Sequence, residues 1–165
     1  RYKDRDTNIN KFVAGKRMDK QCYPRFQQEI NTVAKFSDHE NIARYDAHFC
    51  SDKEFAVLFT ELCDFSLQEE TLKTEESCPM LKPKEMLKQA IQAIKYLHGH
   101  NVDTVHMDIK PSNILFKKRG LTANKECYVL KLNDFGLSKH LNPDSSTSVS
   151  RDAVGTRSYM SPEHY

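Results

Sequence analysis

Residues 105–116 read VHMDIKPSNILF, and this stretch brings an aspartate, a lysine and an asparagine close together around a proline. Two interpretations are open. A proline-centred turn with an asparagine cap explains Pro111 and Asn113 in purely structural terms. Alternatively, Asp108, Lys110 and Asn113 converge on a phosphate group and a metal ion, because a carboxylate, an ammonium group and an amide oxygen suit that chemistry. The rest of the chain has to distinguish the two.

The composition is that of a soluble globular protein. Of the 165 residues, 29% are charged and 38% are hydrophobic, and the formal net charge is +2. This near balance gives no sign of a nucleic-acid partner. The longest strongly apolar run is FAVLF at 55–59, far short of the roughly 20 residues that a membrane span needs. We therefore expect neither nucleic-acid binding nor a membrane span in this segment.

The cysteines indicate a reducing compartment. There are five of them, at positions 22, 50, 63, 78 and 127, with no CxxC pair. An odd number without paired spacing fits free thiols better than a disulfide framework or a zinc site. The chain opens with the polar RYKDRDTNIN and not with a signal peptide or a methionine. We expect a cytosolic or nuclear location, or the cytosolic side of a membrane protein, and a chain that is part of something longer.

The hydrophobic pattern predicts an α+β chain. Two segments, 24–36 and 83–98, show helical periodicity behind a proline, and Gly99 follows the second. The apolar face of the second helix is formed by Met86, Leu87, Ala90, Ile91, Ile94 and Leu97. Strand candidates, the last two separated by the turn-like residues 117–126, lie at 11–18, 43–50, 54–63, 114–116 and 128–132. Helices and strands therefore do not alternate as they do in βαβ proteins.

Several motifs together carry a resemblance to one family. HMDIKPSN at 106–113, NDFGLSK at 133–139 and GTRSYMSPE at 155–163 resemble the catalytic loop, the magnesium loop and the end of the activation segment of eukaryotic protein kinases. VAGK at 13–16 is similar to the strand-lysine motif of that family. Glu29 lies on the following helix, where the family places the partner of that lysine. The blocks follow the family's order over almost the whole chain, which makes the combination specific.

The resemblance implies a truncated, two-lobed, protein-kinase-like α+β fold. Residues 1–63 would form a partial N-lobe with the hinge, without the glycine-rich phosphate loop. Residues 64–165 would form a partial C-lobe that ends after the activation segment. We expect such a piece to be at best weakly stable, and inactive by itself.

The resemblance also implies a role for each polar residue in phosphoryl transfer from ATP. Lys16 would hold the α- and β-phosphates, and Glu29 would pair with Lys16 and fix its aim. Asp108 would accept or orient the proton of the attacking hydroxyl, and Lys110 would steady the γ-phosphate. A plainer interpretation exists for two of them, because Lys16 also fits a solvated lysine at a strand end and Glu29 a glutamate on a helix surface.

ATP and Mg²⁺ are the cofactors that the resemblance implies. Asn113 would offer a carbonyl oxygen to the cation, and Asp134 would supply the main carboxylate. Two protein ligands suffice, because Mg²⁺ usually completes its shell with phosphate oxygens and water. The adenine ring would meet the gatekeeper Thr60, the flanking Ala14 and Leu115, and backbone groups of the hinge residues Glu61, Leu62 and Cys63. For the apolar members of this set, ordinary core packing is equally compatible.

Some motifs resemble particular groups within the protein-kinase family. Lys110 and Thr156 resemble serine/threonine kinases more than tyrosine kinases, so the implied substrate is a serine or threonine hydroxyl of a protein. Residues 61–70 (ELCDFSLQEE) and 29–49 look like the inositol-requiring sensor kinases of the unfolded-protein response, which pair a kinase with an endoribonuclease on the cytosolic face of the endoplasmic reticulum. Such a full-length protein would be cytoplasmic and could form a homodimer. Residues 155–163 resemble kinases of translation initiation factor 2 alpha and dual-specificity MAP kinase kinases instead.

The chain departs from the family pattern at Met107, where arginine is usual. That arginine normally binds the activation-loop phosphate in a charge-assisted pair, which methionine cannot form. We therefore expect that phosphorylation of the loop is not a simple on-switch, although its hydroxyl groups fit a flexible, soluble loop equally well. The hydroxyl groups concerned are those of Ser145, Ser146, Thr147, Ser148 and Ser150, and the predicted activation segment also includes Thr156 and Glu163.

Two other functions stay open. Met107 and the missing family segments favour a pseudokinase, which would bind nucleotide or partners without efficient phosphoryl transfer. The intact Lys16, Asp108, Asn113 and Asp134 argue for an active enzyme. A small-molecule kinase of related fold is the third interpretation, and the resemblance of GTRSYMSPE to a peptide-docking segment argues against it.

Overall fold

The computed structural model describes residues 2–3, 10–51, 54–71, 82–99, 103–122, 125–141 and 155–162. Most of the predicted activation segment is not among them. The residues that lie outside the described ranges are Ser145, Ser146, Thr147, Ser148, Ser150 and Glu163.

In its described residues, the first part of the chain holds one helix, a three-stranded antiparallel sheet and a separate two-stranded sheet. Its elements are β1 (Tyr2–Lys3), β2 (Asn10–Lys11), β3 (Val13–Asp19), α1 (Tyr23–Phe36), β4 (Tyr45–Cys50) and β5 (Phe55–Glu61). Strand β5 lies between β3 and β4, and β1 pairs with β2. The three strands predicted in this part are confirmed, with ends that differ by one or two residues from the sequence pattern.

Helix α1 packs on the sheet through one apolar face. Pro24 stands at its first turn, where the missing N–H would have had no helical acceptor. Its buried apolar residues are Phe26, Ile30, Val33 and Phe36, which join the β5 side chains Ala56 and Leu58 in one core. Glu29 precedes Ile30 and is only 2% exposed. The helix therefore carries a carboxylate into the protein at the edge of its apolar face.

In its described residues, the second part of the chain combines two helices with short sheets. Its elements are β6 (Phe65–Ser66), α2 (Leu67–Thr71), α3 (Pro83–His98), β7 (Asp103–Val105), β8 (Ile114–Thr122), β9 (Lys125–Leu132) and β10 (Lys139–Leu141). Strand β8 lies between β6 and β9, and β7 pairs with β10, all antiparallel. A 3-10 turn at Pro111–Asn113 leads from the catalytic-loop motif into β8.

The structure corrects two predictions in this part. Residues 117–126, predicted as a turn, mostly continue β8 and β9, with a register shift between Lys118 and Gly120. Cross-strand hydrogen bonds hold these polar residues in a ladder, which local composition does not reveal. On α3 the apolar face is narrower than predicted: Leu87 and Ile91 are 60% and 49% exposed, because the helix turns Ala93 and Leu97 towards the core.

The two parts are joined by the loop between α1 and β4. Ala43 N–H donates to the carbonyl of Leu132 at 2.9 Å, and Leu132 N–H donates to the carbonyl of Asn41 at 2.8 Å. The Asn41 side chain donates to the carbonyl of Leu130 at 3.0 Å. Ile42, between them, is fully buried in the core that both parts share. This junction places the segment that follows β9 opposite strand β3.

Candidate active site

Lys16 lies between two carboxylates that are far apart in the sequence. Alternation along β3 turns its side chain inward, and its Nζ donates to both oxygens of Glu29, at 2.9 and 3.0 Å. The same Nζ donates to Asp134 Oδ1 at 2.7 Å. The Glu29 side chain is 3% exposed, whereas those of Lys16 and Asp134 are 41% and 37% exposed. Lys16 and Asp134 therefore face an open space, and Glu29 supports Lys16 from within.

The three charges alter one another's protonation. Burial opposes the charge on Lys16, but Glu29 and Asp134 outweigh it and raise the pKa of the ammonium group. Burial likewise opposes the charge on Asp134, but its hydrogen bond with Lys16 and the Lys16 charge lower the pKa of this carboxyl. For Glu29 burial is the larger effect, and it raises the pKa above the ordinary value despite Lys16. Lys16 and Asp134 are therefore held charged across the neutral range.

A second cluster surrounds the Asp108 carboxylate. Lys110 Nζ lies 2.8 Å from Asp108 Oδ2, and the Asn113 amide donates to the same oxygen at 3.1 Å. Thr156 donates to Asp108 Oδ1 from its hydroxyl at 2.8 Å and from its backbone N–H at 3.1 Å. Lys110 also donates to the Thr156 hydroxyl at 2.8 Å. Burial would raise the pKa of Asp108, but these donors lower it, so the carboxylate is ionised at neutral pH.

The backbone is strained next to both aspartates. Met107, directly before Asp108, has φ 67°, and Asp134 itself has φ 61°. Non-glycine residues seldom adopt this left-handed region, and where they do the surrounding contacts must hold them there. Gly155 has φ 126°, and a Cβ atom at this position would come within 2.7 Å of the Met107 carbonyl oxygen. The close approach of these two backbones brings Thr156 to Asp108.

His106 links the segment of Asp108 to the segment of Asp134 through hydrogen bonds to the backbone. Its Nδ1 accepts the Asp108 N–H at 3.3 Å, so Nε2 carries the proton and donates to the carbonyl of Asn133 at 3.0 Å. Its ring lies 4.9 Å from that of Phe135. Burial lowers the pKa of His106, which keeps the imidazole in this neutral form. The histidine thus holds residues 106–108 and 133–135 in a set relation.

A cleft of about 160 Å³ separates the strand and loop sides of the site. It is lined by Ala14, Gly15, Lys16, Glu29, Leu58, Thr60, Asn113, Asn133 and Asp134. Six of the predicted site residues, Thr60 among them, are in this set, whereas Gly15, Leu58 and Asn133 were not predicted as site residues. The predicted catalytic and ATP-binding residues that do not line this cleft include Asp108, Lys110, Glu61, Cys63 and Leu115. The position of Asn133, directly before the DFG motif, is the sequence signal that could have identified it.

The predicted hinge residues Glu61 and Cys63 do not line the cleft. The Glu61 carboxylate accepts from Lys117 at 2.5 Å and from Lys131 at 2.8 Å, away from the cleft lining. Its backbone N–H donates to the carbonyl of Arg44, just before β4, at 2.9 Å, so this N–H already has an acceptor. Cys63 is half-buried, and burial, with Glu61 nearby, raises the pKa of its thiol to about 11. Leu115 is half-buried and pairs with Ser66 of β6.

The oxygen atoms that the cleft residues offer are too few to hold Mg²⁺ by themselves, but they fit Mg²⁺ bound together with a nucleotide. Among the described residues, no three histidine, cysteine, aspartate or glutamate side chains gather into a metal site. Asp134 and Asn113 both line the cleft and offer a carboxylate and an amide oxygen. Since Mg²⁺ takes six oxygens and often draws several from phosphate and water, these two residues fit a cation that arrives with a nucleotide.

Comparison with known proteins identifies the family. The family described as "Protein kinase domain" matches residues 2–165, and the chain belongs to it. The serine/threonine-protein kinase/endoribonuclease ireA of Aspergillus fumigatus is 33% identical over 92% of this chain and 13% of its own length. The sensor for unfolded proteins in the ER, ire1, of Schizosaccharomyces pombe is 32% identical over 98% of this chain and 15% of its own length. The chain therefore spans about a seventh of these relatives.

A solved structure supports the same fold. A chain of the yeast RNA polymerase II CTD kinase complex CTDK-1 superposes with a TM-score of 0.63 and 26% identity, over 84% of this chain and 42% of the other. The prediction of a truncated, kinase-like α+β fold is thereby confirmed, as is the resemblance to the inositol-requiring kinases. None of the helices in the described ranges is long and apolar enough to cross a membrane.

Proposed function

We propose that this chain catalyses ATP-dependent phosphoryl transfer to a serine or threonine hydroxyl of a protein. The observation that supports this proposal is that two charged clusters meet at Asn113. Lys16, Glu29 and Asp134 line the cleft together with Asn113, and the Asn113 amide donates to the Asp108 carboxylate. Phosphoryl transfer depends mostly on positioning and electrostatics, and this arrangement supplies both.

Each residue then has a defined task. Lys16, aimed by Glu29, holds the α- and β-phosphates. Bound Mg²⁺ would neutralise phosphate charge, with Asp134 and the Asn113 carbonyl oxygen as its protein ligands. The ionised Asp108 orients the substrate hydroxyl and accepts its proton, and Lys110 steadies the γ-phosphate. The Thr156 hydroxyl donates to Asp108 at 2.8 Å, the kind of bond that a substrate hydroxyl would make before transfer.

Phosphorylation assays with matched variants test this proposal. The intact natural protein, incubated with labelled ATP and Mg²⁺, should transfer phosphate to itself or to a protein substrate. Asp108→Asn should retain Mg²⁺–ATP binding but lose transfer by about 100-fold or more, since the proton acceptor is removed. Lys16→Met should lose comparable activity and also bind ATP more weakly. Equal rates for parent and Asp108→Asn would sink the proposal.

We also propose that the full-length protein is a stress-sensor kinase on the cytosolic face of the endoplasmic reticulum, with residues 1–63 as part of the N-lobe and hinge and 64–165 as part of the C-lobe. The two relatives named above and the match at 61–70 support this. If so, agents that unfold proteins in that organelle should raise its autophosphorylation and shift it to dimers. A protein that fractionates away from the organelle and ignores such agents would contradict it.

We infer in addition that residues 1–165 by themselves are at best weakly stable and inactive. The exposed Leu87 and Ile91 on α3 support this, because large apolar side chains one helical turn apart favour coverage by further protein. A cooperative thermal melt together with ATP turnover from residues 1–165 would refute the inference.

A pseudokinase is the second candidate, and Met107 is the observation that favours it. Such a protein would bind ATP through Lys16 and Asp134 without efficient transfer. Nucleotide binding that depends on Mg²⁺, combined with transfer no faster than that of Asp108→Asn, would establish this alternative.

A further inference from the structure

Besides Glu29, two other side chains of helix α1 contact the segment that follows Asp134. The Arg25 guanidinium donates from Nε to the carbonyl of Gly136 at 2.8 Å. Gln28 donates from its side-chain amide to the carbonyl of Ser138. Two polar side chains of the helix thus bind two backbone carbonyls, and both carbonyls belong to the first turn of the activation segment.

The helical repeat puts these groups on one face of α1. Arg25, Gln28 and Glu29 stand three and four residues apart, so their side chains point in the same direction. The Arg25 charge also favours the ionised form of Glu29. Any movement of the helix that breaks the Arg25 and Gln28 bonds therefore also moves Glu29.

The residues that carry the two acceptor carbonyls are closely packed. Gly136 lies against the ion pair: a Cβ atom there would come within 3.0 Å of Glu29 Oε2 and 3.3 Å of Asp134 Oδ1. Ser138 is 1% exposed, and its N–H donates to the carbonyl of Phe135 at 3.0 Å. The two carbonyls are therefore fixed in place and are not free ends of a loop.

Lys16 has two carboxylate partners that compete for it. When Glu29 withdraws, the ammonium group keeps Asp134, because Asp134 Oδ1 is already 2.7 Å away. Lys16 would then be drawn towards the magnesium ligand and away from the phosphates. The position of α1 decides which of these two arrangements the site adopts.

We propose that Arg25 and Gln28 are positioning residues that latch α1 to the backbone of residues 136–138 and so keep Glu29 on Lys16. This helix latch, formed by the two side chains and the Gly136 and Ser138 carbonyls, rests on the proposed kinase function. It couples the start of the activation segment to the helix without any phosphate group. It therefore performs the coupling that Met107 cannot provide through a phosphate.

Variants that remove the donors but keep the side-chain stems test the latch. In the intact protein, Arg25→Met with Gln28→Met should lower the rate at saturating ATP by about tenfold, the size expected when two accessible hydrogen bonds are lost. Arg25→Lys, which restores a donor, should recover part of that rate. Gln27→Ala is the matched control, because Gln27 lies on the same helix and donates to Asn31 one turn away. Its rate should stay within about twofold of the parent.

A double-mutant cycle separates the latch from a merely structural role. If the latch acts through Glu29, the two methionine substitutions should cost nothing further once Glu29→Gln is present. A full tenfold loss in the Glu29→Gln background, or a double variant as fast as the parent, overturns the inference. Thermal melting of each variant identifies any that fail to fold. If the methionine variants do not fold, the rate of Arg25→Lys is compared with that of the parent instead. An inactive parent would instead contradict the proposed function itself.

Discussion

Met107 sits where the chain changes direction into Asp108, with φ 67° and with Gly155 packed against its carbonyl oxygen. Only a residue without Cβ allows that approach, since any side chain at 155 would collide with the Met107 backbone. The contact is made by backbone atoms, so it does not depend on what side chain stands at 107. The docking of Thr156 on Asp108 is therefore compatible with methionine in place of arginine.

For Met107 we predict that the proposed kinase activity of the parent protein is insensitive to loop phosphorylation. Phosphatase treatment of the intact protein should change its rate by less than about twofold, because Met107 provides no charge-assisted partner for a phosphate. Met107→Arg should introduce such a partner and make the rate fall measurably after the same treatment. If Met107→Arg leaves both the rate and its phosphatase response as they are in the parent, this explanation is wrong.

Strand β5 ends in a buried ion cluster that ties it to strands β8 and β9. The Glu61 carboxylate accepts from Lys117 of β8, from Lys131 of β9 and from the backbone N–H of Arg44, the last at 2.8 Å. Glu61 is 5% exposed. Burial acts against its charge, but the lysine hydrogen bonds prevail and lower the pKa of Glu61 to about 2. The end of strand β5 is thus tied to strands β8 and β9.

This cluster predicts an acid-dependent loss of stability. The folded pKa of Glu61 lies below its ordinary value of 4.5, so its contribution is complete above about pH 4.5 and is lost as the pH falls towards about 2. At pH 7, Glu61→Gln should lower the free energy of unfolding by about 2 to 3 kcal/mol. Denaturant unfolding of parent and variant at pH 7 and pH 3 measures this difference, which should shrink at pH 3.

The exposed Glu54 provides the control for this experiment. Glu54→Gln should change the free energy of unfolding by no more than about 0.5 kcal/mol at either pH. A Glu61→Gln difference that grows on acidification would contradict the role given to the ion cluster.

Across the whole molecule, the two parts of the chain meet at a buried amide network. The Asn41 side chain donates to Gln89 Oε1 at 3.1 Å and to the carbonyl of Leu130, and Leu130 N–H donates to Gln89 Oε1 at 2.8 Å. One side chain thus connects the α1–β4 loop, helix α3 and strand β9. Because Asp134 follows β9, this junction sets the distance across the cleft.

Asn41→Ala should therefore weaken the molecule as a whole. It leaves the buried Leu130 carbonyl without its side-chain donor, which should lower the free energy of unfolding by about 1 to 3 kcal/mol. Asn31→Ala, on the exposed face of α1, is the same substitution outside the network and should cost about 0.5 kcal/mol or less. Chemical denaturation measures the free energy of unfolding of both variants. Equal losses would show that the amide network does not stabilise the molecule.

The amino-acid sequence by itself determined the helices at 24–36 and 83–98 and the kinase family, and it predicted the charged residues that the structure brings together at the candidate site. These depend on local information: a proline at a helix start, a helical repeat, or motifs in a known order. The sequence could not determine that Arg25 and Gln28 bind the Gly136 and Ser138 carbonyls, since exposed polar residues on a helix look alike in a pattern.

Only the tertiary structure decided which residues far apart in the sequence contact one another. Lys16 and Asp134 stand 118 positions apart, and their contact exists because the junction at Asn41 and Leu132 brings β9 opposite β3. The same folding turned the Glu61 carboxylate towards two lysines and left Leu87 exposed on a face that the periodicity predicted as buried. The physical reason is that periodicity records which side of an element is apolar, whereas a contact depends on the path of the whole chain.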